Sequence, residues 1–221
     1  MKTNNSIILS FAIVVMAVRL LVFSDAKNHE KLRKNDLVIV YQKTAPFKVL
    51  VAEKNCKIDI RNGHDFSIGV YGKNNKLDNK TYRIVNDTLY ISGTESMAVV
   101  CRGVNCFVSN NCEVMALQAY KTDTLHLIAN GGNINVNSIS TDLIKLQSVQ
   151  VDATKKGRVN IYGVKAEKLS ANISNESSME CRAAISNATV KVQNKSLAGF
   201  YSEIPQSLNF KRDSSSKIQI W

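Results

Sequence analysis

Paired carboxylates are the first residues in this sequence that could do chemistry, because a polysaccharide hydrolase needs two carboxyl groups gathered on one face. Asp59 and Asp65 flank the turn "NGHD", and Asp123 and Asp142 each follow a threonine in a repeated "TD" step. Aspartate beside a strand commonly ties a turn by accepting backbone hydrogen bonds. We therefore expect these carboxylates to form turns, and we expect no enzyme activity.

Histidine offers no better catalytic candidate. His29, His64 and His126 are isolated from one another and from any serine or cysteine in a nucleophile setting. The sequence has no P-loop and no dinucleotide-binding glycine pattern. We therefore expect solvated histidines and no cofactor.

The cysteines admit two interpretations. There are five, Cys56, Cys101, Cys106, Cys112 and Cys181, so at least one is unpaired if disulfides form. The spacing of the middle three differs from the two-plus-two arrangement of a zinc site, so no metal is expected. Burial as small apolar residues is favoured, and disulfides in an exported protein are the alternative.

Basic residues are the remaining candidates for a site. The formal net charge is +11, from 29 Lys and Arg against 18 Asp and Glu, which suits an acidic partner. Because these residues are scattered, we expect no nucleic acid. The predicted face for an anionic ligand, such as an acidic glycan or lipid headgroups, consists of Lys145, Lys155, Lys156, Arg158, Lys165 and Lys168. Alternatively, these side chains only keep the protein soluble and protect it from edge pairing.

The N-terminus predicts export. Lys2 precedes an uncharged apolar stretch at residues 7–18, and small residues precede a potential cleavage point after Ala26. Reading on through Arg19 to residue 23 gives a segment at the short end of a membrane span. Residues 1–26 are thus a signal peptide or a retained hydrophobic anchor helix, and residues 27–35 are a basic linker. Either way, we expect the rest of the chain in the periplasm, cell envelope or cell surface.

From residue 36 onward, apolar and polar residues alternate in short runs bounded by Asn, Asp, Gly or Lys. Runs such as "FKVLVAE", "CKIDIRN" and "TLYISGT" are typical of strands joined by turns. The first half of the body therefore predicts a meander of short antiparallel or edge strands.

The second half predicts stacked units, because similar runs return about every 20 to 25 residues. One column aligns Leu125 and Leu127 with Ile144 and Leu146, then with Leu169 and Ala171, and then with Val190 and Val192. A second aligns Ile134 and Val136 with Val159 and Ile161 and then with Met179 and Cys181, and Ile139, Val164 and Ile185 follow in that column. Asn130, Gly131, Gly132 and Gly157 suit the corners between strands. This pattern predicts a β-solenoid, with a sandwich of hairpins as the alternative.

Over residues 47–204 the sequence resembles the head GIN domain of auto-transporter adhesins, common in exported proteins of Bacteroides-like bacteria. The resemblance rests on the opening "FKVLVAEKNCKIDIRNGHDFSIGVYGKNNKLDNKTYRIVNDTLYISG" and on the later "GNINV" and "GRVNIYG" units. It implies an all-β, β-helix-like fold without established catalytic residues. We place this domain at residues 36–210, with residues 211–221 as a polar tail.

Two functions follow as expectations. The first is an exported, non-enzymatic, adhesin-type module that binds a ligand such as an anionic glycan on the outer face of its coils. The second is a membrane-anchored structural or envelope-stress component that acts through another envelope protein.

Overall fold

The computed structural model describes residues 39–71, 81–118, 120–137, 144–201 and 204–221. The predicted all-β class is confirmed, since these residues contain strands and no helix. The strands are β1 (Ile39–Lys43), β2 (Val49–Glu53), β3 (Lys57–Asn62), β4 (Ser67–Tyr71), β5 (Tyr82–Val85), β6 (Thr88–Ile91), β7 (Ser96–Cys101), β8 (Cys106–Asn110), β9 (Val114–Gln118), β10 (Thr124–Asn130), β11 (Asn133–Asn137), β12 (Ile144–Thr154), β13 (Arg158–Ile173), β14 (Ser178–Val192), β15 (Leu197–Phe200), β16 (Ser207–Arg212) and β17 (Lys217–Ile220).

The predicted signal or anchor, the basic linker and His29 lie outside the described residues. Within the described ranges, no helix is long and apolar enough to cross a membrane.

The strands form two parallel ladders. The first ladder runs β6–β2–β8–β10–β12–β13–β14–β16. The second ladder runs β7–β3–β9–β11–β13–β14–β15–β17, so the long strands β13 and β14 contribute to both. Antiparallel strands cover one end: β5 pairs with β6, β4 with β7, and β1 with β4.

Alternation along each strand places apolar side chains on the inner side of both ladders. In β10, for example, Leu125, Leu127 and Ala129 are buried, and the residues between them are half-buried. The buried residues of the two ladders belong to one continuous apolar cluster. This cluster is the main source of stability, because removing apolar surface from water is the dominant favourable term in folding.

The second predicted column is confirmed through three successive strands. Ile134 pairs with Val159, which pairs with Met179, and the neighbouring position repeats this with Val136, Ile161 and Cys181. Its predicted continuation is wrong, because Val164 pairs with Ile144 and Ile185 pairs with Ala166. Ile139 lies outside the described residues.

The first predicted column is wrong. Leu125 pairs with Val149 rather than with Ile144, and Leu127 pairs with Val151 rather than with Leu146. The later steps are displaced as well, since Leu169 pairs with Ala188. The cause is that alternation continues through the whole of β12, so apolar spacing alone cannot select which apolar pair of that strand aligns with β10.

Tight corners connect the two ladders and carry a column of small, buried residues. Backbone with positive φ turns the chain at Asn55, Asn111, Gly131, Lys156, Glu176 and Lys195. The residue that follows each of these is buried in the corner, where neighbouring backbone and side-chain atoms leave room only for a small side chain or none. We call this set the small-residue column; with the equivalent Ser216 it consists of Cys56, Cys112, Gly132, Gly157, Ser177, Ser196 and Ser216.

Two parts of the fold differ from expectation. The predicted meander of antiparallel or edge strands does not hold for β2 and β3. Strand β2 pairs in parallel with β6 and β8, and β3 pairs in parallel with β7 and β9. Alternation fixes which face is buried but not the direction of the partner strand. The predicted tail at residues 211–221 contains the end of β16, which pairs with β14, and the whole of β17, which pairs with β15.

Candidate functional site

The six predicted basic residues are all exposed but do not share one face. Lys145 and Lys165 are register partners on β12 and β13. Lys168 and Arg158 both lie on β13, Lys168 in the part that belongs to the first ladder and Arg158 at the start of the part that belongs to the second. Lys155 and Lys156 occupy the corner between them, where Lys156 Nζ lies 3.6 Å from Glu176 Oε2. The structure thus brings these side chains together only in small groups.

A row of aromatic and arginine side chains follows the outward side of the second ladder. Tyr162 and Arg182 are register partners, and Tyr201 and Trp221 continue the row through backbone hydrogen bonds to Cys181 and Phe200, at 2.9 and 3.1 Å. We call Tyr162, Arg182, Tyr201 and Trp221 the aromatic row.

The side chains of the aromatic row contact one another. The Arg182 guanidinium carbon lies 5.6 Å from the ring centroid of Tyr162 and 5.3 Å from that of Tyr201. The rings of Tyr201 and Trp221 are nearly parallel, with centroids 6.1 Å apart. These cation–π and stacking contacts order side chains that would otherwise be mobile at the surface. Trp221 stays 71% exposed, so its indole is available to a ligand.

Glu180 holds the centre of the row in place. Its Oε1 accepts hydrogen bonds from Arg182 Nε and Nη2, at 3.1 and 2.9 Å. Burial, followed by the hydrogen bond to Glu180, raises the pKa of Tyr162 above its usual value.

A second row, which we call the amide row, lies beside the aromatic row, two residues earlier along the chain, and consists of Asn135, Asn160, Glu180, Gly199 and Gln219. Asn135, Asn160 and Glu180 are register partners, and Asn160 Nδ2 donates to Asn135 Oδ1 at 2.7 Å. Gly199 comes next, and a side chain there would collide with the ring of Tyr201. Gln219 completes the amide row on β17. Hydrogen-bonding groups are thereby aligned next to exposed rings on one surface.

A separate polar cluster occupies the outward side of the first ladder. Asp152 Oδ2 lies 2.8 Å from His126 Nε2 and accepts from Gln150 Nε2 at 3.0 Å, while Oδ1 accepts from Asn172 Nδ2 at 2.9 Å. Burial raises the pKa of Asp152, but the hydrogen bonds from Asn172, His126 and Gln150 outweigh it and lower the pKa below its usual value. Both oxygens are occupied, so the carboxylate links strands and is unsuited to act as a general acid.

The carboxylates that could have formed a hydrolase pair have separate partners. Asp59 Oδ2 accepts from the Tyr71 hydroxyl at 2.7 Å, and burial together with this contact raises the pKa of Tyr71 to about 12. Asp65 lies 3.3 Å from Lys43 Nζ. Asp142 lies outside the described residues. Among the described residues, no three His, Cys, Asp or Glu side chains converge as a metal site.

The remaining sequence candidates take structural positions. His64 is exposed, whereas His126 belongs to the Asp152 cluster. The predicted burial of cysteines is confirmed for Cys56, Cys101, Cys112 and Cys181; Cys106 is half-buried.

Reasoning from sequence missed the aromatic row, although a signal for it was present. The tyrosines of "NIYG" and "GFYS", the arginine of "ECRA" and the tryptophan of "IQIW" recur at nearly the length of one unit. Each stands directly after an apolar residue at the same place in its run, namely Ile161, Phe200, Cys181 and Ile220, so a common outward position could have been inferred from the second column.

The chain is similar to one family of proteins and to several solved structures. The family model described as "Putative auto-transporter adhesin, head GIN domain" matches residues 46–221. A putative adhesin from Bacteroides fragilis has a similar structure, with TM-score 0.57 and 14% identity over 83% of this chain and 96% of that chain. A putative adhesin from Parabacteroides merdae gives TM-score 0.48 and 10% identity over 84% and 96%. No curated protein matches the chain.

Proposed function

Because the chain belongs to the family described as "Putative auto-transporter adhesin, head GIN domain", we propose that it is an exported, non-enzymatic binding module of the cell envelope. Its ligand in this proposal is an anionic glycan, held on the outward side of the second ladder. The aromatic row is the observation that carries the proposal. The description of the family as auto-transporter adhesins supports a binding role.

The chemistry of the surface matches this ligand class. A sugar ring has apolar C–H faces that pack on exposed aromatic rings, while its hydroxyls bond to amides and carboxylates of the kind that the amide row supplies. Arg182 adds a guanidinium held in a fixed orientation; its Nε and Nη2 donate to Glu180, which offsets part of its charge, so its remaining N–H groups are the ones proposed to meet a carboxylate or sulfate group. The net charge of +11 favours the approach of a polyanion from a distance.

The architecture proposed for this surface is a β-solenoid. The paired registers of both ladders and the repeated corners support it, because each unit then lies above the previous one and keeps outward side chains in rows. In the two ladders, all neighbouring strands are expected to pair in parallel; among the described strands, antiparallel pairs involve only β1, β4 and β5 at one end. A crystal structure with antiparallel pairs within either ladder would contradict this architecture.

Retention on immobilised polygalacturonate and heparin tests the ligand. We expect the protein to bind at low salt and to elute as salt rises. Trp221→Ala and Arg182→Gln should each weaken binding by about fivefold or more, from the loss of a stacking or charged contact. Phe210→Ala is the matched control, because Phe210 is also an exposed aromatic, at 51%, but lies on β16 outside the aromatic row.

The same retention experiment also tests whether the predicted basic residues bind the ligand. Replacing Lys155, Lys156 and Arg158 by serine removes the charges around one corner and leaves the aromatic row intact. If this triple change abolishes retention and Trp221→Ala does not, the ligand sits at the corner rather than on the row. If no variant changes retention, or no polyanion binds, the glycan proposal is wrong and the alternative of a partner protein is favoured.

Export and catalysis have separate tests. A fusion of residues 1–60 to a reporter active only outside the cytoplasm should give signal, and mass spectrometry of the mature N-terminus distinguishes cleavage after Ala26 from a retained anchor. Incubation with polygalacturonate should release no new reducing ends; their release would contradict a non-enzymatic role.

A further inference from the structure

The small-residue column brings two thiols together inside the protein. Cys56 and Cys112 occupy equivalent corners, each directly after an asparagine with positive φ. Backbone hydrogen bonds of 3.0 Å from Lys54 to Asn110 and from Asn55 to Asn111 hold the two corners against each other. The two sulfur atoms lie 3.2 Å apart although the residues are separated by 56 positions in sequence.

The thiols are shielded and fixed by their surroundings. Cys56 is 0% exposed and Cys112 is 2% exposed. The Cys112 thiol donates to the carbonyl oxygen of Cys56 at 2.9 Å, and the Cys56 thiol also lies 3.1 Å from the carbonyl oxygen of Glu53. A disulfide needs sulfurs about 2.05 Å apart, so the two sulfurs, now 3.2 Å apart, must approach each other by about 1 Å. Neighbouring strands lie about 4.8 Å apart, which is within the Cα separation that a disulfide spans.

We propose that Cys56 and Cys112 form an intrachain disulfide that joins the β2–β3 corner to the β8–β9 corner in the exported protein. A disulfide-bearing oxidant accepts the electron pair: one thiolate attacks it to give a mixed disulfide, and the second thiol then displaces the oxidant's remaining sulfur. Two protons and two electrons pass to the oxidant, which leaves as two thiols. Because the folded pair is shielded, the bond forms while the chain folds.

In the folded, reduced protein the two thiols differ in acidity. The contact with Cys112 lowers the pKa of the Cys56 thiol against the opposing effect of burial. The same contact and burial raise the pKa of the Cys112 thiol, so Cys56 ionises first.

The other cysteines have different neighbours. The Cys101 thiol faces the Tyr120 hydroxyl at 3.6 Å, and Cys181 packs in the core as the register partner of Ile161. Cys106 begins β8 and is half-buried on its outward side. The proposal therefore predicts a single cross-link and three thiols that stay reduced.

Alkylation without reductant tests the cross-link. The full chain is isolated after export to an oxidising compartment, and a second sample is refolded with oxidised glutathione; both are then unfolded in the presence of iodoacetamide. We expect label on Cys101, Cys106 and Cys181, and a linked peptide pair that contains Cys56 and Cys112. Label on all five cysteines in both samples, or a link between any other pair, would overturn the proposal.

Thermal unfolding gives an independent readout. Reductant should lower the Tm of the oxidised protein by about 5 to 10 °C. The double change Cys56→Ser/Cys112→Ser should fold, because serine occupies the same column at Ser177, Ser196 and Ser216, and its Tm should not respond to reductant. Cys106→Ser is the control and should respond as the natural protein does. An equal response of the double variant to reductant would contradict the link.

Discussion

At the scale of single residues, the corners tolerate less change than the strands between them. A side chain at Gly157 would overlap the carbonyl oxygen of Ala129 and lie 2.9 Å from that of Thr154, both of them backbone atoms that cannot move independently. We expect Gly157→Ala to lower the free energy of unfolding by several kcal/mol, as overpacking does at rigid sites.

Denaturant unfolding measures this effect, and Gly103→Ala is its control. Gly103 has φ of +66°, but a side chain there meets nothing within 4 Å. Its replacement should cost only the left-handed backbone penalty of about 1 kcal/mol. A loss for Gly157→Ala no larger than that for Gly103→Ala would show that packing in the corner does not limit Gly157.

The inner and outer sides of a strand should also differ at neighbouring residues. Val159 is 0% exposed, so Val159→Asp places an unpaired charge in the core and should prevent folding, since such burial costs several kcal/mol. Asn160→Ser, one position on, removes only the 2.7 Å hydrogen bond to Asn135 and should cost about 1 kcal/mol. Circular dichroism of the two variants checks this; a folded Val159→Asp would contradict the inward assignment.

Residue types predicted the candidate site less well than they predicted the core. The basic residues were identified by charge, but charge does not fix the direction of a side chain, and the six lie on both ladders and a corner. The aromatic row depends on four residues at the same outward position, which becomes visible only once the register is known.

At the scale of strands, register was predictable where a corner fixed it. The column from Ile134 to Met179 was correct because glycines at residues 131, 132 and 157 mark the strand starts. The column from Leu125 failed because β12 alternates over its whole length, so several apolar pairs of that strand could align equally well with Leu125 and Leu127.

The cluster that links β10, β12 and β13 should make stability depend on acid pH. Because the pKa of Asp152 is lower in the folded state than its unfolded value of about 3.9, its contribution is present above about pH 4 and is lost as pH falls through the folded pKa. The side chain is 33% exposed, so we expect less than about 1 kcal/mol.

Asp152→Asn tests this contribution. The stability difference between the natural protein and Asp152→Asn, from urea unfolding between pH 5 and pH 2, should shrink as pH falls. Asp65→Asn provides the comparison, since Asp65 is 69% exposed beside Lys43 and should show a smaller change. A difference that stays constant with pH would mean that the carboxylate charge does not stabilise the strands.

At the scale of the whole molecule, the last strands belong to the fold rather than to a tail. Ile218 packs against the core, and β17 is the partner of β15. Ending the chain after Phe210 removes β17 and the end of β16, and should lower the Tm by about 5 °C or more, because core residues such as Phe200 lose their cover.

Removal of Trp221 alone is the control for this truncation. Trp221 is largely exposed and contributes mainly to the aromatic row, so its loss should change the Tm by less than about 2 °C. If the longer truncation also leaves the Tm unchanged in a thermal scan, residues 211–221 are dispensable for the fold, as the sequence had suggested.

The pairing of β2 has a consequence for the order in which the protein is made. Val49 has its hydrogen-bonded neighbours at Thr88 and Cys106, so β2 is synthesised well before either partner exists. From β10 onward, by contrast, each strand pairs with one that was completed no more than two strands earlier. Synthesis therefore delivers the first strands as an open template, and that end of the molecule closes only after β8 and β9 have been added, whereas the later end can grow as each new strand is made.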